Sequence, residues 1–504
     1  MAKRHARLAT AVGLAWIMAT APVFWGEVRA QDRVRHVLLF IGDGMHLEHE
    51  IAASRYLTGR DEDLSFHRFP VRVYCTTWDV TTYNRNALSA GKPAFAEGSF
   101  DPGVGYDPAR GGDAPHPKPS KAIDDGYFLT RLPLMPGESQ ARYPATDSAS
   151  AATALATGHK TDDGNIAWKP GDPEDGALTT IAEALRDRLG WAIGAVSTVP
   201  FSHATPAAFG SHNRDRNHYG EIADELLRKT RPDVVIGGGH AAWGTAFVPA
   251  SLYRDLKSGL IGDYAFVERS SGQDGAAQLK AGADRAAAAN HKLLGLFGGP
   301  GGNFEPPKPS DTPASPSLTT NPENPTLRAA TLAALQVLSR DKDGFFAVIE
   351  QGDIDWANHD NDFARMVGTV WDLDQAVQAA VEFVDRPGDD IDWENTLLIV
   401  TADHGNGYMR LAPGKRLGVG DLPTQLRQRS PPTPGGYASN WTYPDGEVTY
   451  RSSEHTNEPV TLSAKGGLAP LFRKHAGAWY PGTELLDNTQ VYRVIAEAAG
   501  LDTR

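Results

Sequence analysis

Three separated segments of the chain each place an acidic residue beside a histidine. Zinc accepts imidazole nitrogen and carboxylate oxygen, whereas magnesium prefers carboxylate, hydroxyl and water oxygen. The chain has one cysteine, so a zinc site built from several thiolates is excluded. The residue types therefore predict a metal centre made of histidine and carboxylate side chains. The three pairs are Asp355 with His359, Asp403 with His404, and Glu454 with His455.

Other side chains of the same chemistry follow short apolar runs. Asp43 and Glu350 each come after such a run, and His203 and Thr205 follow a third. Apolar runs of this length are typical of strands that are buried on both faces of a parallel sheet. Ligands of such sheets collect at the carboxyl ends of the strands, so we expect these residues to meet there.

Ser148 is the candidate nucleophile. It precedes a run of small residues, 149–157, that predicts a tightly packed helix. The free N–H groups and the dipole at a helix N-terminus favour an anion beside the Ser148 hydroxyl. The alternative is a plain N-cap serine. No G-x-S-x-G motif surrounds Ser148, so an α/β-hydrolase elbow is a poor fit.

The elements that must position these residues alternate along the chain. Helices are predicted at 149–157, 178–188, 219–229 and 326–339. Strands alternating with helices predict an α/β fold, a three-layer α/β/α sandwich around a central, mostly parallel sheet. The predicted strands are 36–41, 71–76, 191–197, 233–236, 345–349, 396–400 and 459–463.

Three segments interrupt the alternation. They cover about 84–142, 298–324 and 405–451 and are rich in glycine, proline and polar residues. Loops this long in a compact protein usually serve or cover a site. We therefore interpret 31–504 as one catalytic domain that carries three long loop insertions.

The N-terminus has the pattern of a secretory signal peptide. Lys3, Arg4 and Arg7 precede an apolar stretch, and the small residues around Ala30 fit a cleavage site. The alternative is an uncleaved anchor, although the stretch is short for a membrane span of ~20 residues. Cleavage near Ala30 predicts a periplasmic or secreted protein. No later stretch is apolar enough to predict a membrane span in the mature chain.

The net charge of the chain limits the classes of partner that it is expected to bind. Asp and Glu number 62 against 49 Lys and Arg, which gives a net charge of −13. This excess argues against a nucleic-acid-binding surface, because phosphate backbones bind to clustered positive charge. An anionic small molecule stays compatible, since a local cation overrides the global sign.

The blocks around these residues resemble the alkaline phosphatase family. They occur in the family's order and approximate spacing, and they cover essentially 34–501 apart from the insertions. The resemblance implies hydrolysis of small-molecule phosphate monoesters through a phosphoserine on Ser148, with two zinc ions and one magnesium ion. The family is often dimeric, so a homodimer stays open. The blocks are IGDGM, TDSASAATALATG, VSTVPFSHATPAAF, DRNHYG, GFFAVIEQGDIDWANHD, TADHG and SEHTNEPV.

The resemblance also assigns roles to single residues. It implies that Arg216 clamps the phosphate, because a planar guanidinium suits bidentate contact to two oxygens. The alternative is a solvated arginine in the basic run 214–216. The implied metal ligands are Asp355, His359 and His455 for the first zinc; Asp43, Asp403 and His404, with Ser148, for the second; and Asp43, Glu350 and Thr205 for magnesium.

The sequence departs from the family pattern at two positions. His203 stands where some bacterial members carry aspartate, and Trp356 stands where those members carry lysine. The resemblance implies that His203 reaches the third metal only through water. Trp356 supplies no positive charge, so weaker retention of the phosphate product is expected.

Two other functions are compatible with parts of this pattern. One is a sister enzyme that acts on phosphodiesters or sulfate esters. Diesterase relatives commonly have threonine as the nucleophile, and sulfatases need a C/S-x-P-x-R context that Ser148 lacks. The other is a non-catalytic exported protein that binds phosphate or metal, which would not need Ser148.

Overall fold

A computed structural model describes residues 33–112, 125–132, 134, 145–309, 318–415, 417–427 and 441–501. The predicted signal peptide and its cleavage site at Ala30 lie outside these residues. Parts of each predicted insertion also lie outside them.

The main sheet contains ten strands of the described chain in the order β18-β2-β17-β10-β1-β9-β3-β4-β6-β5. Four further pairs of short strands lie outside it. The strands are β1 His36–Gly42, β2 Val71–Thr76, β3 Ala192–Pro200, β4 Val234–Gly238, β5 Tyr264–Glu268, β6 Lys292–Leu296, β7 Lys308–Pro309, β8 Leu318–Thr319, β9 Phe345–Gln351, β10 Thr396–Thr401, β11 Gly405–Asn406, β12 Met409–Leu411, β13 Leu426–Arg427, β14 Trp441–Thr442, β15 Val448–Tyr450, β16 His455–Thr456, β17 Val460–Gly466 and β18 Leu485–Asp487.

Helices α1, α11, α12 and α14 pack in one group, and α6, α7 and α16 pack in another. Together they cover the sheet, so the predicted α/β sandwich is confirmed. The helices are α1 Leu47–Thr58, α2 Val80–Ala90, α3 Pro102–Gly105, α4 Pro108–Gly111, α5 Asp125–Leu129, α6 Ser148–Thr157, α7 Ile181–Leu189, α8 Ala204–Ala207, α9 Tyr219–Glu225, α10 Ala250–Lys257, α11 Gly275–Ala289, α12 Leu327–Leu338, α13 Asp353–His359, α14 Phe363–Val384, α15 Leu471–His475 and α16 Thr489–Ala499.

The centre of the sheet sets where the site forms. Strand β1 lies between β9 and β10 and is parallel to both. In this register Ile41 lies opposite Glu350 on one side and Thr401 on the other. All residues of β1, β9 and β10 are buried, as their apolar sequences predict. The carboxyl ends of the three strands therefore meet at one edge, directly before Asp43 and Asp403.

The direction of one predicted strand is wrong. The run 459–463 was expected to be parallel, but β17 is antiparallel to both β10 and β2. Strand β10 ends at the edge where the site lies, and the described residues between β10 and β17 form the short strands β11 to β16 and no helix. Without a crossover helix the chain can only return antiparallel. Strands β5, β6 and β18 lie outside the predicted set because each is only three to five residues long.

The predicted insertion at 84–142 begins inside a helix. Asp79 caps α2 by accepting a hydrogen bond from the Thr82 amide, and the helix ends at Gly91 with φ of 64°. Residues 84–90 therefore belong to the helix. The β-branched start of α2 obscures it in the sequence because valine and threonine have modest helix propensity.

Within the described part of the chain, no helix combines the length and apolar character needed to cross a bilayer.

Candidate active site

Ser148 lies against a buried group that we call the inner triad, formed by Asp43, Asp403 and His404. The Ser148 Oγ is 3.1 Å from His404 Nε2 and 3.5 Å from Asp43 Oδ1. His404 Nε2 is in turn 3.4 Å from Asp43 Oδ1 and 3.4 Å from Asp403 Oδ2. One hydroxyl, two carboxylates and one imidazole therefore converge on a single point.

Ser148 is the first residue of α6, not its cap. The carboxylate of Asp147 accepts the hydrogen bond from the Ser150 amide and caps the helix. The interpretation of Ser148 as a plain N-cap serine is therefore wrong. Its hydroxyl is left to face the inner triad from the N-terminal end of α6.

A tight turn after β1 brings Asp43 and Asp403 together. Gly44 has φ of 68°, which suits glycine, and its amide donates to Asp403 Oδ1 at 3.0 Å. A Cβ on Gly44 would lie 2.8 Å from Asp355 Oδ1. Only glycine therefore lets the turn pass this close to Asp355.

The inner triad carries more negative charge than the chain neutralises. Burial raises the pKa of Asp403 to about 7, and burial together with the Asp403 charge raises the pKa of Asp43 well above its usual value. Burial lowers the pKa of His404. The Oδ2 atoms of Asp43 and Asp403 are buried and have no hydrogen-bond partner among the described residues. Buried, unpaired acceptors beside an imidazole fit a bound divalent cation.

The second group, which we call the outer triad, consists of Asp355, His359 and His455. His359 Nε2 is 3.2 Å from Asp355 Oδ2, and His455 Nε2 is 3.3 Å from Asp355 Oδ1. The two Nε2 atoms are 3.1 Å apart. The triad takes its carboxylate from Asp355 and not from Glu454, which the sequence places beside His455.

Backbone carbonyls orient both imidazoles of the outer triad. The Nδ1–H of His359 donates to the Ser453 carbonyl at 2.7 Å, and that of His455 donates to the Thr146 carbonyl at 2.8 Å. Each Nε2 therefore points toward Asp355, the arrangement that metal-binding histidines commonly show. Asn406 Nδ2 donates to Asp355 Oδ1 at 2.6 Å and holds the carboxylate in place.

In the outer triad the charges of Asp355 and the histidines compensate one another. Burial opposes ionisation of Asp355, but the two imidazoles outweigh it and hold the pKa of Asp355 well below its usual value. Burial also disfavours a charged His359, yet the Asp355 charge raises the pKa of His359 to about 9. Asp355 and His359 thus each favour the charged form of the other.

A third group contains Glu350, Thr205 and His203. Glu350 Oε2 accepts a short hydrogen bond from Ser197, and burial raises the pKa of Glu350 to about 8. Glu350 Oε1 and Thr205 Oγ1 are buried with no hydrogen-bond partner in the described chain. A carboxylate and a hydroxyl oxygen are ligands that magnesium prefers.

His203 is two residues before Thr205 in the chain, and its ring contacts Arg216 and Trp356. Its ring meets the Trp356 ring edge-on at 5.8 Å between centroids. Burial, followed by the Arg216 charge, lowers the pKa of His203 to about 3. Both effects favour the neutral imidazole of His203.

Arg216 is held inside the site and is not a solvated surface residue. Its side chain is 18% exposed, and its Nη1 donates to Asp147 Oδ2 at 2.9 Å. Its Nη2 lies 3.4 Å from His203 Nε2. Arg216 outweighs the effect of burial and holds the pKa of Asp147 below its usual range. The charged guanidinium thus lies beside the N-terminus of α6, where an anion would meet it.

The structure places every predicted site residue in these three groups or beside them. Sequence reasoning gave no role to Asp147, which pairs with Arg216, or to Asn406, which orients Asp355. Asp147 immediately precedes the small-residue helix, so its position as a cap was a usable signal. The sequence contains no such signal for Asn406, because its partner Asp355 is remote in the chain.

Comparison with known proteins places the chain in a family. The sequence model described as Alkaline phosphatase matches residues 135–476. The alkaline phosphatase of Escherichia fergusonii is 33% identical over 388 residues, which are 71% of this chain and 74% of that protein. Alkaline phosphatase 3 of Bacillus subtilis is 31% identical over 288 residues, 56% of this chain. That match spans about half of the Bacillus protein, 54% of its length.

A solved structure shares the fold. It is a mutant of the TAB5 alkaline phosphatase, from an Antarctic bacterium, with magnesium bound. Its TM-score is 0.58 at 20% identity, over 94% of this chain and 99% of that one. The shared fold agrees with the ten-stranded sheet described above. On the evidence of the family match and the relative at 33% identity, the chain belongs to the alkaline phosphatase family.

Proposed function

We propose that the protein hydrolyses small-molecule phosphate monoesters to an alcohol and inorganic phosphate through a phosphoserine on Ser148. The observation that carries this proposal is the position of the Ser148 hydroxyl. It lies 3.1 Å from His404 Nε2, inside a buried carboxylate-rich group and at the start of α6. A serine with a structural role alone would not need unpaired buried carboxylates around it.

Metal ions complete the proposed site. The outer triad would hold one zinc, the inner triad with Ser148 a second, and Glu350, Thr205 and Asp43 a magnesium ion, with His203 reaching it through water. When bound, these cations supply Lewis-acid stabilisation of oxygen anions and lower the pKa of a bound hydroxyl or water. The unpaired Oδ2 atoms of Asp43 and Asp403 support this assignment. So does the magnesium in the TAB5 neighbour.

The chain's own residues position the reaction. Arg216, anchored by Asp147, presents its guanidinium to two oxygens of the phosphate. The Ser148 oxygen attacks phosphorus as the bond from phosphorus to the ester oxygen breaks, and the alcohol leaves. Water then attacks the phosphoserine, and inorganic phosphate leaves as the Ser148 oxygen is released. Two in-line displacements retain configuration at phosphorus, and positioning and charge stabilisation provide most of the rate.

The mature protein is proposed to act outside the cytoplasm. The positive and apolar segments before Ala30 support export through a signal peptide cleaved near that residue. The catalytic domain is then 31–504, with the three long insertions on it. Mass spectrometry of the protein recovered from the periplasm or medium would identify the new N-terminus, and a chain that still begins at Met1 would contradict the proposal.

The test of the activity is capture of the phosphoserine. The protein is incubated with a radiolabelled phosphate monoester, quenched in acid and digested. We expect label on the peptide that contains Ser148, and none in Ser148→Ala, which should keep its zinc. Ser211→Ala is the matched control, because Ser211 is buried but bonds Glu225 away from the site. Faster hydrolysis of a diester than of a monoester, or tight binding of phosphate without labelling, would overturn the proposal.

A further inference from the structure

A buried ion pair links the segments that carry the two triads. Arg410 Nη2 donates a short hydrogen bond to Glu458 Oε1, and both side chains are 7% exposed. A buried pair of this kind contributes little net stability, because removing two charges from water offsets their attraction. The reaction proposed above does not use either side chain. The pair therefore needs another explanation.

Glu458 is joined to the strand that carries His455. The Thr456 hydroxyl donates to Glu458 Oε2 at 2.9 Å. Thr456 follows His455 in β16, and β16 pairs with β11, where Asn406 holds Asp355. A change at Glu458 is thus transmitted to the outer triad through a single hydroxyl and one pair of strands.

Glu458 also faces the turn that carries Asp43. His46 Nε2 lies 3.9 Å from Glu458 Oε2. The Glu48 amide donates to His46 Nδ1 at 3.1 Å, so Nδ1 carries no proton and Nε2 does. The protonated nitrogen of His46 therefore faces the carboxylate. At 3.9 Å this is a packing contact between two buried side chains and not a hydrogen bond.

Arg410 anchors the pair to the chain that leaves His404. Its Nη1 donates to the Met409 carbonyl at 2.8 Å, and its guanidinium lies 3.8 Å from the centroid of the Tyr408 ring. Strand β12, which contains Arg410, follows β11 after a two-residue turn. One carboxylate, that of Glu458, therefore meets the three segments that carry Asp43, His404 and His455.

We propose that Glu458 and Arg410 are positioning residues that hold the inner and outer triads in zinc-binding geometry. A hydrogen bond from Thr456 joins Glu458 to the outer triad, and His46 packs against Glu458 on the side of the inner triad, so ligands from three segments stay in register. This positioning role depends on the proposed function in one respect, the assignment of zinc to the two triads. Residues that orient metal ligands typically change metal affinity about 10- to 100-fold when they are replaced.

The experiment measures zinc affinity separately from activity and from stability. Wild type, Glu458→Gln and Thr456→Val are titrated with a chromogenic zinc chelator, and the zinc-free proteins are unfolded by heat. We expect zinc affinity to fall about 10- to 100-fold in Glu458→Gln and about tenfold in Thr456→Val. With zinc restored, we expect kcat to fall more than KM changes, because the metal geometry and not substrate access is altered.

Asp487→Asn is the matched control. It breaks the buried Lys160–Asp487 pair, whose atoms are 2.9 Å apart and whose hydrogen-bond partners, among them Trp78, Asn488 and Thr76, belong to neither triad. We expect this control to lower the unfolding temperature while zinc affinity stays within about twofold of wild type. A fall in zinc affinity equal to that of Glu458→Gln would mean that the effect is general destabilisation, and would overturn the proposal.

The remaining outcomes are also decisive. If Glu458→Gln does not fold, Thr456→Val decides alone, since it removes one hydroxyl and keeps the shape of the side chain. Unchanged zinc affinity in Thr456→Val, or in both variants, would overturn the positioning role. If wild type binds zinc and the variants bind it equally well, only this inference is refuted. If wild type binds no zinc, the metal assignment and this inference are refuted together.

Discussion

The inner and outer triads are built from the same residue types at the same edge of the sheet, yet they differ in burial. The side chains of Asp43, Asp403 and His404 are at most 1% exposed. In the outer triad His359 is 18% exposed and His455 is 17% exposed. The inner triad is therefore sealed inside the protein, whereas the outer triad meets solvent.

The triads also differ in the ratio of carboxylate to imidazole. The inner triad has two carboxylates and one imidazole, and the outer triad has the reverse. In the outer triad the imidazoles lower the pKa of Asp355, and the Asp355 charge raises that of His359. The inner triad has no such partner, so the pKa values of Asp43 and Asp403 rise. We therefore expect the inner triad to depend on a bound cation more strongly than the outer triad does.

The largest expected effect comes from His404→Ala in the inner triad. The variant removes the nitrogen nearest Ser148, and we expect kcat on a chromogenic monoester to fall at least about a thousandfold. Excess zinc should not restore it, because the lost nitrogen is the single imidazole of the inner triad and that position is less exposed than the outer triad. Rates are measured across a zinc titration, and recovery to near the wild-type rate would contradict the distinction between the triads.

In the outer triad, His359→Ala is expected to have a smaller and reversible effect. Loss of one solvent-facing ligand should weaken zinc binding by about 100-fold or more, with a matching loss of activity at equimolar zinc. Excess zinc or added imidazole should restore much of the rate, since both can reach the exposed position. A loss that neither can reverse would mean that the two triads behave alike.

Trp356→Lys tests the side of the outer triad that lacks a cation. Trp356 follows Asp355 in the chain and packs edge-on against His203. A lysine there adds a positive charge near bound phosphate, and we expect inorganic phosphate to inhibit about tenfold more strongly. Inhibition constants are compared with those of Trp356→Phe, which keeps an aromatic ring without charge. An equal change of the inhibition constant in both variants would mean that altered packing, and not the added charge, causes the effect.

The smallest expected effect lies outside the site, at a cluster of similar composition. His212 lies between Glu183 at 3.4 Å and Glu225 at 3.3 Å. Burial opposes its charge, but the hydrogen bonds and charges of the two glutamates raise the pKa of His212 to about 10. Here one imidazole and two carboxylates favour one another's charged forms.

His212→Gln should therefore lower the free energy of unfolding by about 1 kcal/mol near neutral pH. Because the folded-state pKa is raised, the contribution is complete below about pH 6.5 and is lost as the pH rises through about 10. Denaturant unfolding of both proteins at pH 6, 8 and 10.5 measures the difference. A difference that stays constant or grows toward pH 10.5 would contradict the assignment of the ion pair.

Local patterns predicted much of the scaffold and part of the site. Asp355 and His359 are four residues apart on α13, so one helix face explains why they meet. The apolar runs before Asp43 and Asp403 predicted strands that end at one edge. His455 could be assigned to the outer triad only through the family resemblance, because its place depends on the pairing of β16 with β11.

Long-range contacts account for what was missed. The antiparallel course of β17 follows from where the 405–451 segment leaves and re-enters the sheet, which no local period encodes. Arg410 and Glu458 are 48 residues apart, and neither lies in a pattern typical of a buried charge. Such residues are predicted as solvated in the absence of structure, because charged side chains are rarely fully buried.

The sequence by itself determined which ligands are available: histidines and carboxylates, with one cysteine, and a serine before a small-residue helix. It also predicted apolar strands that place these residues at one edge of the sheet. Only the tertiary structure decided how these side chains divide into a sealed inner triad and an open outer one. The physical reason is that pKa and metal affinity depend on distance through space and on exclusion of water. Neither quantity is set by order along the chain.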